Sequence, residues 1–386
     1  MKLFFLLPRF PYPTEKGDKL RAFHHIKQLS RHHEIILCAM NDGTINKDAI
    51  PVMRKYTTAI HIIRLGKMTI VWNIIKVLFT GKPLQVGYFY NAVAARKIRQ
   101  IIDHSKPDYI FCQLIRVAEY VKKLPIPKIL DYQDVFSKGV DRRCATSPFW
   151  LRPFLRIEYN RLIRYEREVF DAFDHKIIIS YPDRDLIPHP KRESITVVAN
   201  GVDTDFFRPL ERPKEYDIVF TGNMGYPPNI NSAEYLVNRI LPLVRSRKSD
   251  VRFLIAGANP HLRVLVLKSP QVDVSGWVSD MRECYARARI FVAPMQLGTG
   301  LQNKILEAMA MKIPCITYPL ANQELNAKEG EEILVGQTPE EYTRHVFTLL
   351  NDPAFAGRVA ENGYHFVLKN YSWETETGKI LKLLSS

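Results

Sequence analysis

The residues with the clearest capacity for chemistry lie between positions 294 and 318, where a glycine-containing loop precedes a helix. The loop contains Gly298, Thr299 and Gly300, and helical spacing begins near Leu301. Glycines at a strand-to-helix turn let backbone amides approach a ligand, and the positive end of the helix favours a phosphate. The sequence therefore predicts an anion-binding site at this turn.

Two charged residues follow on the same helix. Glu307 lies about two turns along, roughly 9 Å from the helix start at 1.5 Å per residue. A nucleoside diphosphate places its ribose at about that distance from its phosphates, where a carboxylate can accept hydrogen bonds from two ribose hydroxyls. Lys304 lies in the first turn, where its charge would face the phosphates. The structural alternatives are an i, i+3 pair between Lys304 and Glu307, or a solvated lysine.

The elements that must position these residues are short apolar runs alternating with stretches of helical period. Seven predicted strands precede residue 200 and five follow it. Near-continuous hydrophobic strands that alternate with helices indicate parallel sheets covered on both faces. We therefore predict an α/β protein with two doubly wound, Rossmann-like domains, residues 1–200 and 201–370. A C-terminal helix within 371–386 should pack back towards the N-terminal domain.

The composition excludes several classes of protein. The 386 residues are 46% hydrophobic and 25% charged, which argues against a disordered chain. Five cysteines without a Cys-x-x-Cys pair exclude a dense disulfide framework and a cysteine-built zinc site. The eleven histidines show no metal-ligand spacing, so we expect no metal and no cofactor. The apolar run at 3–7 is too short for a signal peptide, and no window is long enough to span a bilayer, so we expect a cytoplasmic protein.

The positive charge is confined to the N-terminal half. Residues 1–200 contain 34 basic and 19 acidic side chains, and residues 51–100 contain nine basic and no acidic ones. Such a field attracts an anionic partner: a nucleic acid, an anionic membrane surface or a phosphorylated substrate. No nucleic-acid-binding module is evident, so we expect no nucleic-acid partner.

The apolar, aromatic stretch 68–90 has two interpretations. It is flanked by Lys67 and Lys82 and contains Trp72 and Phe79. Basic and aromatic residues around an amphipathic helix suit docking onto anionic lipid headgroups, and the regional charge favours this interpretation. The alternative is a helix in the core of the N-terminal domain.

Several motifs together resemble a known family. The stretch PMQLGTGLQNKILEAMAMKIPCITY is similar to the donor-binding signature of retaining glycosyltransferases of family four, which have the GT-B fold. Its GTG-x-QNK-x-LEAMA string resembles the subgroup that acts on exopolysaccharides and cell-surface glycans. PRFPYPTEKGDKLRAFHHIKQL at the N-terminus, NGVD at 200–203, FTGNMGYPPN at 220–229 and SGWVSD at 275–280 extend the likeness over nearly the whole chain.

The resemblance implies a function and a set of site residues. It implies two domains facing a central cleft and transfer, with retention of configuration, from a nucleotide-sugar donor to a glycan or lipid-linked acceptor, without a metal ion. The reaction would take place in the cytoplasm or at the inner face of the membrane. The donor-binding residues that it implies are Gly17, Arg21, Gly222, Asn223, Trp277, Gly298, Gly300 and Glu307.

The chain departs from the family pattern at two places. Thr299 stands where the family has the first glutamate of a Glu-x7-Glu pair, so it can offer the donor sugar a hydroxyl but no charge. After the strand at 217–223, the arginine and lysine that hold the pyrophosphate in many relatives are replaced by Asn223 and its neighbours. Lys304 is the first candidate to neutralise the leaving phosphate, with Arg21 second.

The predicted catalytic group is Lys304, Thr299 and Asp134. Asp134 follows a strand, where it could face the acceptor hydroxyl or donor sugar, or simply cap a turn. Two other functions stay open: a GT-B sugar-nucleotide epimerase, and a catalytically silent GT-B scaffold that binds nucleotide.

Overall fold

A computed structural model describes residues 1–14, 16–297 and 301–385. The chain divides into two compact units. The first comprises Met1–Ala199 together with the residues from Thr377 to the C-terminus, and the second comprises Asn200–Glu376.

Unit 1 contains a seven-stranded sheet in the order β3-β2-β1-β4-β5-β6-β7, and every neighbouring pair is parallel. Its strands are β1 (Lys2–Leu7), β2 (Glu34–Asn41), β3 (Ala59–Arg64), β4 (Tyr109–Gln113), β5 (Lys128–Gln133), β6 (His175–Ile178) and β7 (Thr196–Val197). Its helices are α1 (Gly17–Leu29), α2 (Ala49–Arg54), α3 (Lys67–Thr80), α4 (Leu84–Phe89), α5 (Ala92–Ser105), α6 (Phe136–Thr146), α7 (Arg152–Ala172) and α8 (Tyr181–Leu186), with short 3-10 turns at Ile115–Tyr120 and Arg192–Ser194.

The sheet of unit 1 has an apolar layer on each face. Along β1, Phe4 and Leu6 belong to one layer, whereas Leu3, Phe5 and Leu7 belong to the other. Successive side chains of a strand point to opposite faces, so a strand covered on both sides must be apolar at every position. This burial explains the continuous hydrophobic runs in the sequence.

The C-terminal helix, α17 (Trp373–Leu384), completes the core of unit 1. Ile380 and Leu384 are buried in the same apolar layer as Phe5. His25 Nδ1 lies 2.9 Å from the hydroxyl of Thr377, a buried contact between α1 and the beginning of this segment. Burial lowers the pKa of His25 well below its ordinary value, so the imidazole is neutral here.

A fully buried ion pair ties three distant segments of unit 1 together. Arg21 Nε donates to Asp131 Oδ2 at 2.8 Å and Nη2 donates to Oδ1 at 3.2 Å. Arg21 Nη1 also donates to the carbonyl oxygen of Val198 at 2.8 Å. Both charged side chains have no exposed surface. Helix α1, strand β5 and the chain after β7 are thereby joined.

Unit 2 has a six-stranded parallel sheet in the order β10-β9-β8-β11-β12-β13. Its strands are β8 (Tyr216–Thr221), β9 (Phe253–Ala256), β10 (Val272–Val274), β11 (Ala288–Ala293), β12 (Cys315–Thr317) and β13 (Leu334–Val335). Its helices are α9 (Pro227–Tyr235), α10 (Leu241–Arg245), α11 (Leu262–Leu265), α12 (Met281–Ala286), α13 (Asn303–Ala310), α14 (Pro319–Leu325), α15 (Pro339–Asn351) and α16 (Pro353–Asn370), and a π-helical turn at Leu236–Ile240 joins α9 to α10.

The strand order in unit 2 reverses between β8 and β11. In open parallel sheets the chain leaves these two strands in opposite directions, which opens a crevice at their carboxyl ends. The segments that follow β8 and β11 therefore border the place where such sheets bind ligands.

The predicted strands agree with the structure to within a few residues, and the predicted helix at the C-terminus is present. The two-residue strand β13 was missed because its sequence is too short to show a pattern. Within the described residues, no helix is both long and apolar enough to cross a membrane.

The buried ion pair generates a stability prediction. Asp131→Asn leaves the buried guanidinium of Arg21 without its counter-charge, so we expect a loss of about 3–5 kcal/mol in the free energy of unfolding, measured by urea denaturation. The matched control is Asp103→Asn, because Asp103 pairs with Arg99 on an exposed surface, where such a pair contributes less than about 1 kcal/mol. If the two variants lost the same free energy of unfolding, the buried pair would contribute no more to stability than an exposed pair.

Candidate functional site

Lys304 lies at the sheet crevice of unit 2, in the first turn of α13. Its ammonium donates to Asn229 Oδ1 on α9 and lies 3.5 Å from the sulfur of Met295, which follows β11. It also stands 5.4 Å from the ring centre of Phe220 on β8. Contacts from both strands that border the reversal therefore hold this cation at the carboxyl edge of the sheet.

Burial makes the charge of Lys304 costly. The side chain keeps only part of its surface accessible, and desolvation lowers its pKa to about 8, while the nearby carboxylate of Glu307 opposes the shift. The lysine is thus mostly protonated at neutral pH, and the nearby carboxylate offsets only part of the desolvation cost of its positive charge. An anion that bound beside it would supply the missing counter-charge.

Glu307 is held by a chain of hydroxyl groups. Tyr285 Oη on α12 donates to Glu307 Oε2 at 2.8 Å and lies 2.7 Å from Thr221 Oγ1 at the end of β8. A tyrosine has a single proton to donate. When that proton faces the carboxylate, the Thr221 hydroxyl donates to the tyrosine oxygen, and the chain fixes the orientation of Glu307.

Burial also shifts the pKa of Glu307, in the direction of the neutral form. Desolvation raises the pKa to about 7, against the opposing effects of the Tyr285 hydrogen bond and the charge of Lys304. Residue 307 as a whole keeps some accessible surface, although protein surrounds its carboxyl group.

Helix α13 begins at Asn303, later than the sequence indicated. Glu307 is therefore four residues along the helix, about 6 Å from its start rather than 9 Å. An α-helix leaves the N–H groups of its first turn without partners inside the helix. Here the Ile305 amide donates to the carbonyl oxygen of Gln302 at 2.9 Å. Amides, ammonium and carboxylate are thus arranged along one short helix.

The loop after β8 is packed so tightly that it requires glycine. Gly222 has φ +152°, and a Cβ atom on it would lie 2.7 Å from Asn229 Nδ2. A Cβ on Gly257, after β9, would lie 1.7 Å from the carbonyl oxygen of Gly222. Asn229 in turn donates to the carbonyl oxygen of Asn223 at 2.9 Å. This close packing positions the asparagine that accepts from Lys304.

Two of the predicted donor residues are exposed at the ends of strands in unit 2. Asn223 is exposed, and its Oδ1 accepts from the Gly225 amide at 3.0 Å, which closes a turn. Trp277 follows β10, and 73% of its side chain is accessible. Tyr226, which the sequence analysis did not single out, is 55% exposed at the start of α9.

Gly298, Thr299 and Gly300 lie outside the described residues. The predictions that their amides approach phosphates, and that the Thr299 hydroxyl faces the donor sugar, therefore stay predictions.

In unit 1 the structure gives Arg21 a different role from the predicted one. Its guanidinium is engaged with Asp131 and Val198 and has no accessible surface. A phosphate could reach it only if a buried ion pair were broken, so the geometry does not support Arg21 as a phosphate ligand. Gly17 begins α1, and a Cβ there would make only ordinary contacts, so no close approach requires glycine at this position.

Asp134 lies exposed after β5, and its Oδ1 accepts from the Val135 amide at 2.7 Å. This is the turn-capping arrangement that the sequence left open. Asp134 also lies near Arg116, whose pKa is lowered mainly by burial and raised in part by Asp18 and Asp134. The carboxylate is thus one of several charged groups at this edge of unit 1.

A cavity of about 830 Å³ lies at the carboxyl ends of β2 and β3 in unit 1. Three basic side chains, Lys47, Arg64 and Lys97, line it together with the amides of Asn41 and Asn91 and several isoleucines. This chemistry suits a ligand with both an anionic and an apolar part.

Sequence reasoning missed three residues of the unit 2 site: Tyr285, Asn229 and Thr221. Tyr285 and Asn229 precede the glycine loop by many residues, and each looks like an ordinary helix residue. Only the fold brings them to Lys304 and Glu307. Thr221 and Asn229 do lie within the FTGNMGYPPN string, and that motif was the one available signal.

Comparison with known proteins gives a family match over part of the chain. Residues 215–352, which lie in unit 2, match the family described as "Glycosyl transferases group 1". Over 38% of its length the chain is 26% identical to a GDP-mannose-dependent alpha-(1-6)-phosphatidylinositol monomannoside mannosyltransferase from Mycolicibacterium smegmatis, of which 43% is covered. It is 21% identical to an uncharacterised 44.6 kDa protein in the cps region of Klebsiella pneumoniae, covering 96% of this chain and 97% of that one.

A solved structure matches the whole chain. The Anabaena protein Alr3699/HepE, crystallised in complex with UDP, has a TM-score of 0.69 and 13% identity, with all of both chains covered. At this level of identity the likeness shows the fold. Together with the two parallel, doubly wound sheets, it identifies the fold as GT-B.

The shifted pKa of Glu307 generates a prediction about stability and pH. Because the folded-state pKa of about 7 exceeds the ordinary 4.5, the folded chain binds more protons in this range, and stability falls as pH rises through about 7. Glu307→Gln removes this pH-dependent loss of stability, because glutamine does not ionise. After allowance for partial exposure and for the lost attraction to Lys304, we expect the variant to be more stable by on the order of 1–2 kcal/mol at about pH 8.

The difference should fade towards about pH 5, where the native carboxyl group is protonated as well. Thermal unfolding of both proteins at the two pH values checks this. A variant that is less stable than the native protein at about pH 8 would show that Glu307 is a stabilising structural residue.

Proposed function

We propose that this chain, a GT-B protein whose residues 215–352 belong to the group 1 glycosyltransferases, transfers a sugar from a nucleotide sugar to a glycan or lipid-linked acceptor with retention of configuration. The observation that carries the donor assignment is the placement of Lys304 and Glu307. Both stand on one helix at the strand reversal of unit 2, and each is shifted towards its neutral form by burial. A nucleoside diphosphate has complementary groups for both.

Lys304 would compensate the diphosphate. Its ammonium is held by Asn229 next to the first-turn amides of α13, so charge and hydrogen-bond donors point to one place. A phosphate beside the lysine would favour its protonated form and stabilise the negative charge that develops as the sugar leaves. This assignment replaces the arginine and lysine that the loop after β8 lacks, and it invokes no metal ion.

Glu307 would bind the ribose. In its ionised form the carboxylate accepts hydrogen bonds only, and Tyr285 occupies Oε2. The remaining lone pairs suit the two vicinal hydroxyls of a ribose. Ribose hydroxyls that donate to the carboxylate would lower its pKa and offset the cost of burying the charge.

The nucleobase of the donor would lie against the exposed aromatic side chains at the ends of strands in unit 2. Trp277 and Tyr226 present flat apolar surface that a nucleobase can stack on. The names of the relatives support different bases: a GDP-mannose-dependent enzyme in one case and a complex with UDP in the other. We therefore leave the base to experiment.

The acceptor side is assigned to unit 1. The cavity lined by Lys47, Arg64 and Lys97 suits an acceptor that carries a phosphate and an apolar chain, and Asp134 stays a prediction for contact with the acceptor hydroxyl or donor sugar. The relative in a cps region supports a role in surface polysaccharide synthesis. We place the reaction in the cytoplasm, at the inner face of the membrane.

The chemistry that the resemblance implies needs no protein base. The bond between the anomeric carbon and the diphosphate oxygen breaks, and the acceptor oxygen forms its bond on the same face of the sugar. The departing phosphate takes the acceptor proton. Lys304 would then contribute by stabilising that phosphate, and the Thr299 hydroxyl by contacting the sugar.

A nucleotide-binding screen tests the donor site. We expect one of UDP, GDP and ADP to bind, and Glu307→Gln to weaken that binding about 10- to 100-fold, the range for a hydrogen bond to a charged group. Because the ionised carboxylate is the binding form, native affinity should fall as pH decreases below about 7, whereas the affinity of the variant should change less. Isothermal titration calorimetry measures both effects.

The matched control is Glu340→Gln, which neutralises an exposed carboxylate on α15. If no nucleotide binds the native chain, the donor site is wrong. If a nucleotide binds and Glu307→Gln leaves its affinity unchanged, only the ribose assignment fails.

A kinetic measurement tests Lys304. Lys304→Met should lower kcat for release of nucleoside diphosphate from the bound sugar donor by roughly 100- to 1,000-fold while changing KM only a few-fold, because the developing charge is greatest in the transition state. Lys268→Met, at an exposed position in the same unit, is the control.

The same assay separates the alternatives. A scaffold would bind nucleotide without releasing it from a donor, and an epimerase would convert the sugar while it stayed attached to the nucleotide. Turnover that is unaffected by Lys304→Met would remove this lysine from the mechanism.

A further inference from the structure

The exposed apolar side chains of this protein are concentrated in two segments of unit 1. Of the twenty large apolar side chains that are clearly exposed in the described part of the chain, nine belong to α3 and to the α6–α7 region. They are Met68, Val71, Trp72, Ile75, Phe79, Phe149, Trp150, Phe154 and Ile157. We call these nine residues the docking face. So many exposed apolar residues close together mark an interaction surface.

Helix α3 is apolar on two sides. Ile70 and Val77 are buried in the unit, whereas Met68, Trp72, Ile75 and Phe79, spaced four, three and four residues apart, form an outward stripe. Residues at this spacing lie on one side of a helix. Phe79 is 86% exposed and Met68 is 73% exposed. One side of α3 thus packs in the core of unit 1, and the opposite side carries exposed apolar side chains.

The second segment lies next to α3. Arg161 on α7 donates to the carbonyl oxygen of Val77 at 3.5 Å, and Glu158 on α7 accepts from the Leu84 amide at 2.8 Å. Phe154 lies one helical turn before Glu158, and Ile157 lies one turn before Arg161. These two hydrogen bonds place α7 next to α3 and α4, beside the exposed Phe154 and Ile157.

The charge around the docking face is positive. Residues 51–100 have nine basic and no acidic side chains, and residues 138–164 have seven basic and two acidic ones. Of those two acids, Glu158 is buried and caps α4. Apolar and aromatic groups within a field of positive charge complement a surface that is anionic outside and apolar below.

We propose that the docking face binds the surface of a bilayer that contains anionic phospholipids. Trp72 and Trp150 lie at headgroup depth, Phe79, Phe149 and Phe154 insert at the boundary with the acyl chains, and Lys67, Lys76 and Arg156 contact the headgroup phosphates. The tryptophans and the basic surroundings favour lipid over a second protein, whose interface core would be poor in charge. The proposal rests on unit 1 and is independent of the donor site in unit 2.

Vesicle co-sedimentation of the purified full-length chain tests the proposal. We expect binding to vesicles of phosphatidylcholine mixed with phosphatidylglycerol, at least tenfold weaker binding to phosphatidylcholine alone, and weaker binding at high salt. The double variant Trp72→Ser with Phe79→Ser should reduce binding to the anionic vesicles about tenfold or more, and so should Phe149→Ser with Trp150→Ser.

The matched control removes exposed apolar surface elsewhere. Leu262→Ser with Val266→Ser alters two side chains in unit 2 that are 73% and 78% exposed, and it should leave vesicle binding unchanged. Circular dichroism and nucleotide affinity verify that each variant is folded.

Several outcomes would overturn the proposal. They are no binding of the native chain to anionic vesicles, equal loss in the control, or binding that the docking-face variants leave intact. Analytical ultracentrifugation supplies a further one: a native dimer that dissociates in the docking-face variants would show that a second copy covers this surface.

Discussion

The site of this protein depends on two opposite charges that are both expensive to bury. Lys304 and Glu307 stand three residues apart on α13, and desolvation moves the pKa of each towards its neutral form. Neither charge fully compensates the other. A ligand that brings negative charge to the lysine and hydrogen-bond donors to the carboxylate lowers both costs together. The proposed ligand, a nucleoside diphosphate, would offset both desolvation costs in this way.

Uncharged residues of unit 2 hold the side chains of Lys304 and Glu307 in place. The packing of Gly222 against Gly257 lets the loop after β8 approach its neighbour, and it fixes Asn229 opposite the ammonium. Tyr285 links Glu307 to the end of β8. None of these supporting residues carries a charge. They restrict where the charged groups can lie, and the parallel sheet fixes the distance between the elements that bear them.

The sequence predicted the parts of this structure that depend on local pattern. Strand β1 is apolar at every position from Leu3 to Leu7 because both faces are covered there, and this pattern is visible without coordinates. The sequence predicted Lys304 and Glu307 from a glycine loop followed by a helix. The structure places both on α13, and their roles in donor binding stay predictions. Arg21 was misjudged because its partner, Asp131, is 110 residues away, and nothing local distinguishes a buried arginine from an exposed one. Tyr285 was missed for the same reason: its role depends on tertiary contacts alone.

The path of α17 has a consequence for biosynthesis. The helix begins in unit 2 and ends in unit 1, where Ile380 and Leu384 fill part of the apolar layer beneath the first strand. During translation most of unit 1 emerges before unit 2, yet its core lacks these side chains until residues 380–384 have been translated. Domains commonly fold one after another as they leave the ribosome. Unit 1 cannot complete its core in this way before unit 2 has been synthesised. A stop codon that removed Ile380 and Leu384 would therefore damage the unit that is synthesised first.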